Sequence, residues 1–202
     1  VSQSTFTPDG DNIRFGLMAI KNLGIALIDK IIKERETGGL YTSFYDFCLR
    51  NYSREFNRRA LEGLIKSGAL DCVSCNRREM LYNMESVLTA AENERRYSSG
   101  GQLDLFDDMG ESSSFVMESV PEMSKDTKLM FEKEVTGLYL SGHPMDDYKG
   151  YLKSAKLDSI ADIQNGKYPD GKRVNIGGII SGLKVRQLKN NNLLCSFKIE
   201  DF

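Results

Sequence analysis

The sequence predicts a mainly α chain that ends in a short β segment. Three observations predict it. Apolar residues recur at helical spacing, between capping signals, across residues 13–96. A tract rich in Ser, Gly, Asp and Glu follows over residues 98–126 and carries no such period. After Asp158 the period shortens to that of strands, with glycines and an asparagine run as punctuation.

The elements follow in order. Within residues 13–32, Leu17, Ile20, Leu27, Ile28, Ile31 and Ile32 fall at helical spacing on either side of Asn22-Leu23-Gly24. The expectation is helix, tight hairpin, helix, with Gly24 as the left-handed residue of the turn. The second helix is expected to end near Thr37-Gly38-Gly39. Ser43-Phe44-Tyr45-Asp46 has capping-box spacing, with Asp in place of Glu, and opens a short helix through Leu49. Asn57 caps a helix over residues 58–66, which Gly68 ends. Asn76-Arg77-Arg78-Glu79 repeats the capping pattern. The helix behind it sets Met80, Leu81, Met84, Val87, Leu88 and Ala91 on one face. A further helix is expected over residues 127–139, anchored by Leu129, Met130, Val135, Leu138 and Tyr139 and ended by Gly142 and Pro144. Val174, Ile176, Ile179 and Ile180 read as one strand, Asn190-Asn191-Asn192 as a turn and residues 194–199 as a second strand. Two strands do not make a stable sheet alone, so this last domain is expected to be cut short.

Composition bounds the function classes. The 202 residues suit one or two domains, with 40% hydrophobic and 28% charged residues as in globular chains. No apolar run approaches the roughly 18 residues of a membrane helix. Four cysteines are too few for a disulfide scaffold, and no signal peptide opens the chain, so a cytoplasmic protein is expected. The start at Val1-Ser2-Gln3 is expected to mark a piece of a longer protein. Charge is unevenly spread: near neutral in residues 1–100, net −8 in 101–148 and net +5 in 149–202. The acidic middle should repel nucleic acid, so a protein is its expected partner.

Two motifs carry chemistry. The first hairpin can point backbone N–H groups outward at a helix N-terminus, with Lys21 and Lys30 nearby, and so hold a DNA phosphate without reading sequence. An ordinary hairpin packed into a core is the competing reading. The second motif is Gln102-Leu103-Asp104-Leu105-Phe106, three large apolar residues inside an acidic tract. Such a cluster suits a docking peptide whose anchors fill pockets on a partner, unless it folds back on the helical domain. The doublets Arg58-Arg59, Arg77-Arg78 and Arg95-Arg96 are candidates for extending a DNA-backbone track. Cys72 and Cys75 lack two further zinc ligands at suitable spacing. A lone His143 removes most acid–base schemes, and the pairs Asp107-Asp108 and Asp146-Asp147 sit in a tract and a turn rather than a rigid dry site.

Residues 13–21 (IRFGLMAIK), 57–71 (NRRALEGLIKSGALD), 101–106 (GQLDLF) and 132–144 (EKEVTGLYLSGHP) occur in an order that resembles the C-terminal region of bacterial DNA polymerase III alpha subunits, the C-family replicative polymerases. The resemblance covers nearly the whole chain. It implies a tandem helix-hairpin-helix domain over residues 1–97 and an acidic linker with a clamp-binding peptide over 98–126. It further implies a helical connector over 127–165 and the first part of an oligonucleotide/oligosaccharide-binding (OB) fold over 166–202. It implies that Lys21, Asn22, Leu23, Gly24, Ile25 and Lys30 hold duplex DNA by its backbone, and that Gln102, Leu103, Asp104, Leu105 and Phe106 dock on the beta sliding clamp. Relatives commonly carry Gly where this chain has Asn22. The family's catalytic carboxylates, with their Mg2+, lie upstream of these segments. The expectation is a non-catalytic part, without a cofactor of its own, of a DNA-directed DNA polymerase that works with other holoenzyme subunits. The alternative is a part that only packs on the rest of the polymerase.

Overall fold

A computed structural model describes residues 2–73, 75–99 and 115–201. The chain divides into two compact units, Val1–Leu140 and Ser141–Phe202.

The first unit opens with an antiparallel hairpin, β1 (Thr7–Asp9) and β2 (Asn12–Arg14), with Thr7 opposite Arg14. A 3-10 turn over Leu17–Ala19 follows, then α1 (Ile25–Gly38), α2 (Phe44–Asn51), α3 (Arg58–Lys66), α4 (Arg77–Ser99) and α5 (Lys125–Thr136). The helix expected before Asn22 is therefore absent. Its N–H groups are spent elsewhere: Leu17 donates to the Gln3 carbonyl and Met18 to Ser4, both at 3.0 Å. Gly16 lies against the backbone of Thr5 and Phe6, where any side chain would collide. The N-terminal segment thus takes N–H groups that a regular helix would spend within itself.

The helices α2, α3 and α4 begin where the sequence predicts. Ser43 Oγ accepts from the Asp46 N–H, and Asn57 Oδ1 accepts from the Ala60 N–H. Asn76 and Glu79 form a reciprocal capping box, at 2.8 and 3.4 Å. The helix expected over 127–139 starts and stops earlier, capped by Ser124 and ended by Gly137 in the left-handed conformation (φ 82). Its buried face is Leu129, Glu132 and Val135, while Met130 points outward.

One core joins these elements. It contains Leu27, Ile28 and Ile31 of α1, Phe44 and Phe47 of α2, Leu61, Leu64 and Ile65 of α3, and Met80, Met84, Val87 and Ala91 of α4. Each of these Leu, Ile, Phe, Met and Val side chains removed from water contributes about 1.5–3 kcal/mol.

The tract assigned to a linker is bound where it is described. Phe115 stacks on Tyr45 at 5.3 Å, and Met117 packs against the core. The Asn83 amide donates to the Glu118 carbonyl at 2.8 Å and accepts from the Glu118 N–H at 2.9 Å. Asn76 donates to the Val120 carbonyl. A side-chain amide offers the donor and acceptor of a peptide group, so it pairs with an extended chain as a neighbouring strand would. Residues 115–120 are thus a strap on α4. The helix α5, placed by the sequence reading in a connector, belongs to the first unit.

The second unit has a 3-10 turn over Asp146–Tyr148, two short helices, α6 (Lys149–Ser154) and α7 (Ile160–Gln164), and the strands β3 (Ile179–Gln187) and β4 (Leu193–Glu200). Asp158 accepts from the Asn175 N–H and the Tyr168 hydroxyl, and Asp201 accepts from the Ile160 N–H at the start of α7. The strands pair antiparallel from Ile179 opposite Glu200 to Gln187 opposite Leu193. A bulge between Ser181 and Lys184 coincides with Gly182 at φ 60. Val174 and Ile176, expected in the first strand, lie before it. Asn191 closes the expected turn at φ 62. Among the described residues no helix is long and apolar enough to cross a membrane.

Candidate nucleic-acid interface

The first hairpin survives in a changed form. Its entering arm is the 3-10 turn and its leaving arm is α1. Asn22, not Gly24, is the left-handed residue, at φ 67. Asn is among the few non-glycine residues that adopt this conformation readily. Gly24 is the N-cap of α1 in extended conformation, with no side-chain capping bond and open space where a β-carbon would stand. Gly24, Ile25 and Ala26 are exposed. The first N–H groups of α1, which have no partner within the helix, therefore face solvent at the positive end of its dipole. Leu23 is half-buried and packs on the core, which fixes the turn from beneath.

The turn has two further supports. Gly63 of α3 allows close approach: a β-carbon there would lie 3.0 Å from the Lys21 carbonyl oxygen. The Lys21 N–H donates to the Val135 carbonyl at 2.8 Å, and its Nζ donates to the Glu134 carbonyl at 2.6 Å. Lys21 thus caps the C-terminal end of α5. Lys30 is turned inward, its Nζ donating to the Tyr52 carbonyl at 3.0 Å. Burial, and then the charge of Arg95, lower its pKa. The two lysines expected to share one face therefore serve two different helix ends, those of α5 and α2.

The second hairpin, α3 to α4, is acidic at its tip. The Glu122 carboxylate accepts from the N–H groups of Met123 and Arg78 and pairs with Lys128 at 2.6 Å. Burial alone would raise its pKa, but Lys128 and these N–H groups outweigh burial and hold it below the usual carboxylate range. Asp71 and Glu79 line the same cleft. An internal carboxylate thus occupies the N-terminal end of α4.

Arg77, read as part of a basic doublet, is 4% exposed. It makes two bonds of 2.8 Å to Asp71 and one of 2.9 Å to Glu132, which is fully buried. Burial would lower the Arg77 pKa, but the two carboxylates outweigh it and keep the guanidinium charged. Glu132 also accepts from the Leu140 N–H at 2.8 Å. Gly68, at φ 78, lies flush against this guanidinium, and a side chain there would strike it. The sequence reading missed this buried cluster. Its one trace was an acid at the centre of the row Leu129, Glu132, Val135. Of the other doublets, Arg58 pairs with Glu85 and Arg96 with Glu92.

Residues 102–106 lie outside the described residues. Among the described residues no three His, Cys, Asp or Glu side chains converge as a metal site. Burial raises the pKa of Cys48, and it pushes Cys75 up to about 11, so both thiols stay protonated at neutral pH. His143 and Asp146 close a turn: Asp146 Oδ2 accepts from the His143 N–H at 2.7 Å, and His143 Nδ1 accepts from Met145.

A family model described as a helix-hairpin-helix motif matches residues 1–80, which contain the Asn22 turn and α1 to α3. Matches to curated proteins cover nearly the whole chain. The DNA polymerase III subunit alpha of Borreliella burgdorferi is 36% identical over 98% of this chain, which spans 17% of that protein. The subunit of Saccharopolyspora erythraea is 36% identical over 99% of the chain, and that of Deinococcus radiodurans 32% over 99%. The chain is homologous to one segment of the DNA polymerase III alpha subunit. It spans under a fifth of the length of these relatives. In the first unit, the N-terminal end of α1 behind the Asn22 turn has no side-chain cap, and the α4 end is closed by Glu122.

Proposed function

We propose that this chain is a DNA-holding, clamp-docking segment of a replicative DNA polymerase. The observation that carries the first half is the exposed N-terminal end of α1 behind Asn22, inside a helix-hairpin-helix match. A phosphate seated there accepts from the N–H groups of residues 24–26 and meets the positive dipole end, without any base contact. Lys21 and Lys30 contribute less than their charges suggest, because both ammonium groups already bond to carbonyls. The closed, acidic α4 end takes no phosphate.

The clamp-docking half rests on sequence: Gln102 offers amide hydrogen bonds while Leu105 and Phe106 fill an apolar cleft. A peptide of this size binds at about micromolar strength, near −8 kcal/mol. Encirclement of DNA by a clamp, with the polymerase's own DNA contacts, multiplies this through effective concentration. Polymerisation, and the Mg2+ it uses, belong to other parts of such a polymerase. Its other subunits and the cytoplasm complete the proposed setting, and the final strands β3 and β4 fit the start of an OB fold.

The bonding of both ammonium groups to backbone carbonyls favours a second reading, in which the helical unit only packs on the rest of the polymerase. Fluorescence anisotropy with a labelled duplex separates the two. Binding that is lost in Gly24→Glu, which sets a carboxylate at the mouth of α1, supports phosphate holding. Absence of binding, or binding indifferent to Gly24→Glu, supports packing alone. Calorimetry against the clamp tests the peptide: Leu105→Ala with Phe106→Ala is expected to abolish micromolar binding, and unchanged binding would move the contact elsewhere.

A further inference from the structure

The turn proposed to hold phosphate does not rest on its own arms alone. Its Lys21 N–H and Nζ both bond to the last turn of α5, at the carbonyls of Val135 and Glu134. That helix is fastened in turn by a charge in the core. Glu132 sits two and three residues before these carbonyls, is fully buried, and accepts from Arg77 at 2.9 Å with one carboxylate oxygen and from the Leu140 N–H with the other. Arg77 is held by Asp71 and by the Lys66 carbonyl, so the chain of contacts runs from the α3–α4 loop through the guanidinium to α5 and on to the Asn22 turn.

We infer that Glu132, acting through Arg77, is a positioning residue for the phosphate-binding turn: it sets the C-terminal end of α5 as the backing on which residues 21–25 are held. This rests on the phosphate-holding reading proposed above. Helix N–H groups grip a phosphate only when pre-set to within a fraction of an ångström, because a mobile turn spends binding energy on ordering itself. The Glu132 side chain touches no solvent and cannot contact DNA, so any effect on binding must pass through the turn. The Lys66–Glu134 pair at 2.9 Å also joins α3 to α5, but at the half-exposed rim, where ion pairs hold little.

The test pairs duplex binding with hydrogen exchange at the Lys21 amide, in the 202-residue chain and in Glu132→Gln, Glu134→Gln and Gly24→Glu. In Glu132→Gln the Lys21 amide should exchange about a hundredfold faster while the α3 amides keep their protection. Duplex affinity should fall about tenfold. Glu134→Gln should leave both readings near those of the unaltered chain. Where Glu132→Gln does not fold, the paired variant Arg77→Met with Glu132→Leu carries the test. An apolar pair that keeps the Lys21 amide protected should bind DNA as the unaltered chain does, and lost binding with that protection intact would overturn the inference. It is overturned equally if Glu132→Gln leaves the Lys21 amide protected, or frees it without weakening DNA binding. Failure of the unaltered chain to bind, or indifference of Gly24→Glu, would instead strike the phosphate-holding reading itself.

Discussion

At Asn22 the backbone stands at φ 67, a conformation that glycine adopts freely, asparagine tolerates and β-branched residues resist. Asn22→Gly should therefore leave stability almost unchanged, whereas Asn22→Val should cost about 1–2 kcal/mol, read from urea unfolding curves. The turn residue was legible, because a Asn-Leu-Gly break between two apolar rows admits few conformations. Which of its residues would be left-handed was not, since Gly24 serves the turn equally well as an extended N-cap. Glu132 stands at the opposite extreme. It lies in a Glu-Lys-Glu run that reads as a solvated helix face, and its burial comes from Arg77, fifty-five residues away in the chain. Glu132→Gln removes the buried countercharge and sets an amide NH2 against one of the two donors, Arg77 or the Leu140 N–H, at a cost of about 3–5 kcal/mol. Replacing both charges by Met and Leu should be close to neutral, because desolvation of two ions is removed with their attraction. Thermal unfolding of the two variants checks this, and equal losses in both would contradict it.

Among the elements, the helices with local start signals were legible nearly to the residue, because Ser43, Asn57 and the Asn76–Glu79 box act within three positions of themselves. The entering arm of the first hairpin was not, because Gln3 and Ser4 take its N–H groups from a distance. The strap was hidden for the same reason. Nothing in residues 115–120 announces a groove, and their partners are the amides of Asn76 and Asn83 on α4. Asn83→Ala removes one donor and one acceptor from the strap, so it should lower stability by about 1–3 kcal/mol and expose the Glu118 amide to exchange. An unchanged Glu118 amide would mean that the Phe115–Tyr45 stack and Met117 suffice. Acid should loosen the same region near α4. The Glu122 pKa is depressed in the folded chain, so its contribution is complete above the ordinary carboxylate range and is lost as pH falls through the lowered value. The Met123 amide shift, followed by NMR, should move over that acidic window, and Glu122→Gln should abolish the movement.

Across the whole molecule, two compact units carry different legibility. The order of motifs along the chain pointed to a polymerase segment, and proteins named DNA polymerase III subunit alpha match over 98–99% of this chain. The placement of α5 with the helical unit was beyond sequence reasoning, because a helix between two domains has no local mark of its allegiance. It matters for function, since α5 supplies the carbonyls on which Lys21 and the phosphate-facing turn rest. The most direct test is the salt dependence of duplex binding by the 202-residue chain, measured between about 50 and 200 mM salt, with Gly24→Glu alongside. If the Asn22 turn holds phosphate, log K falls linearly with log salt, by about 0.9 for each phosphate engaged, and Gly24→Glu loses the binding. Binding that ignores salt, or that survives Gly24→Glu unchanged, would contradict it.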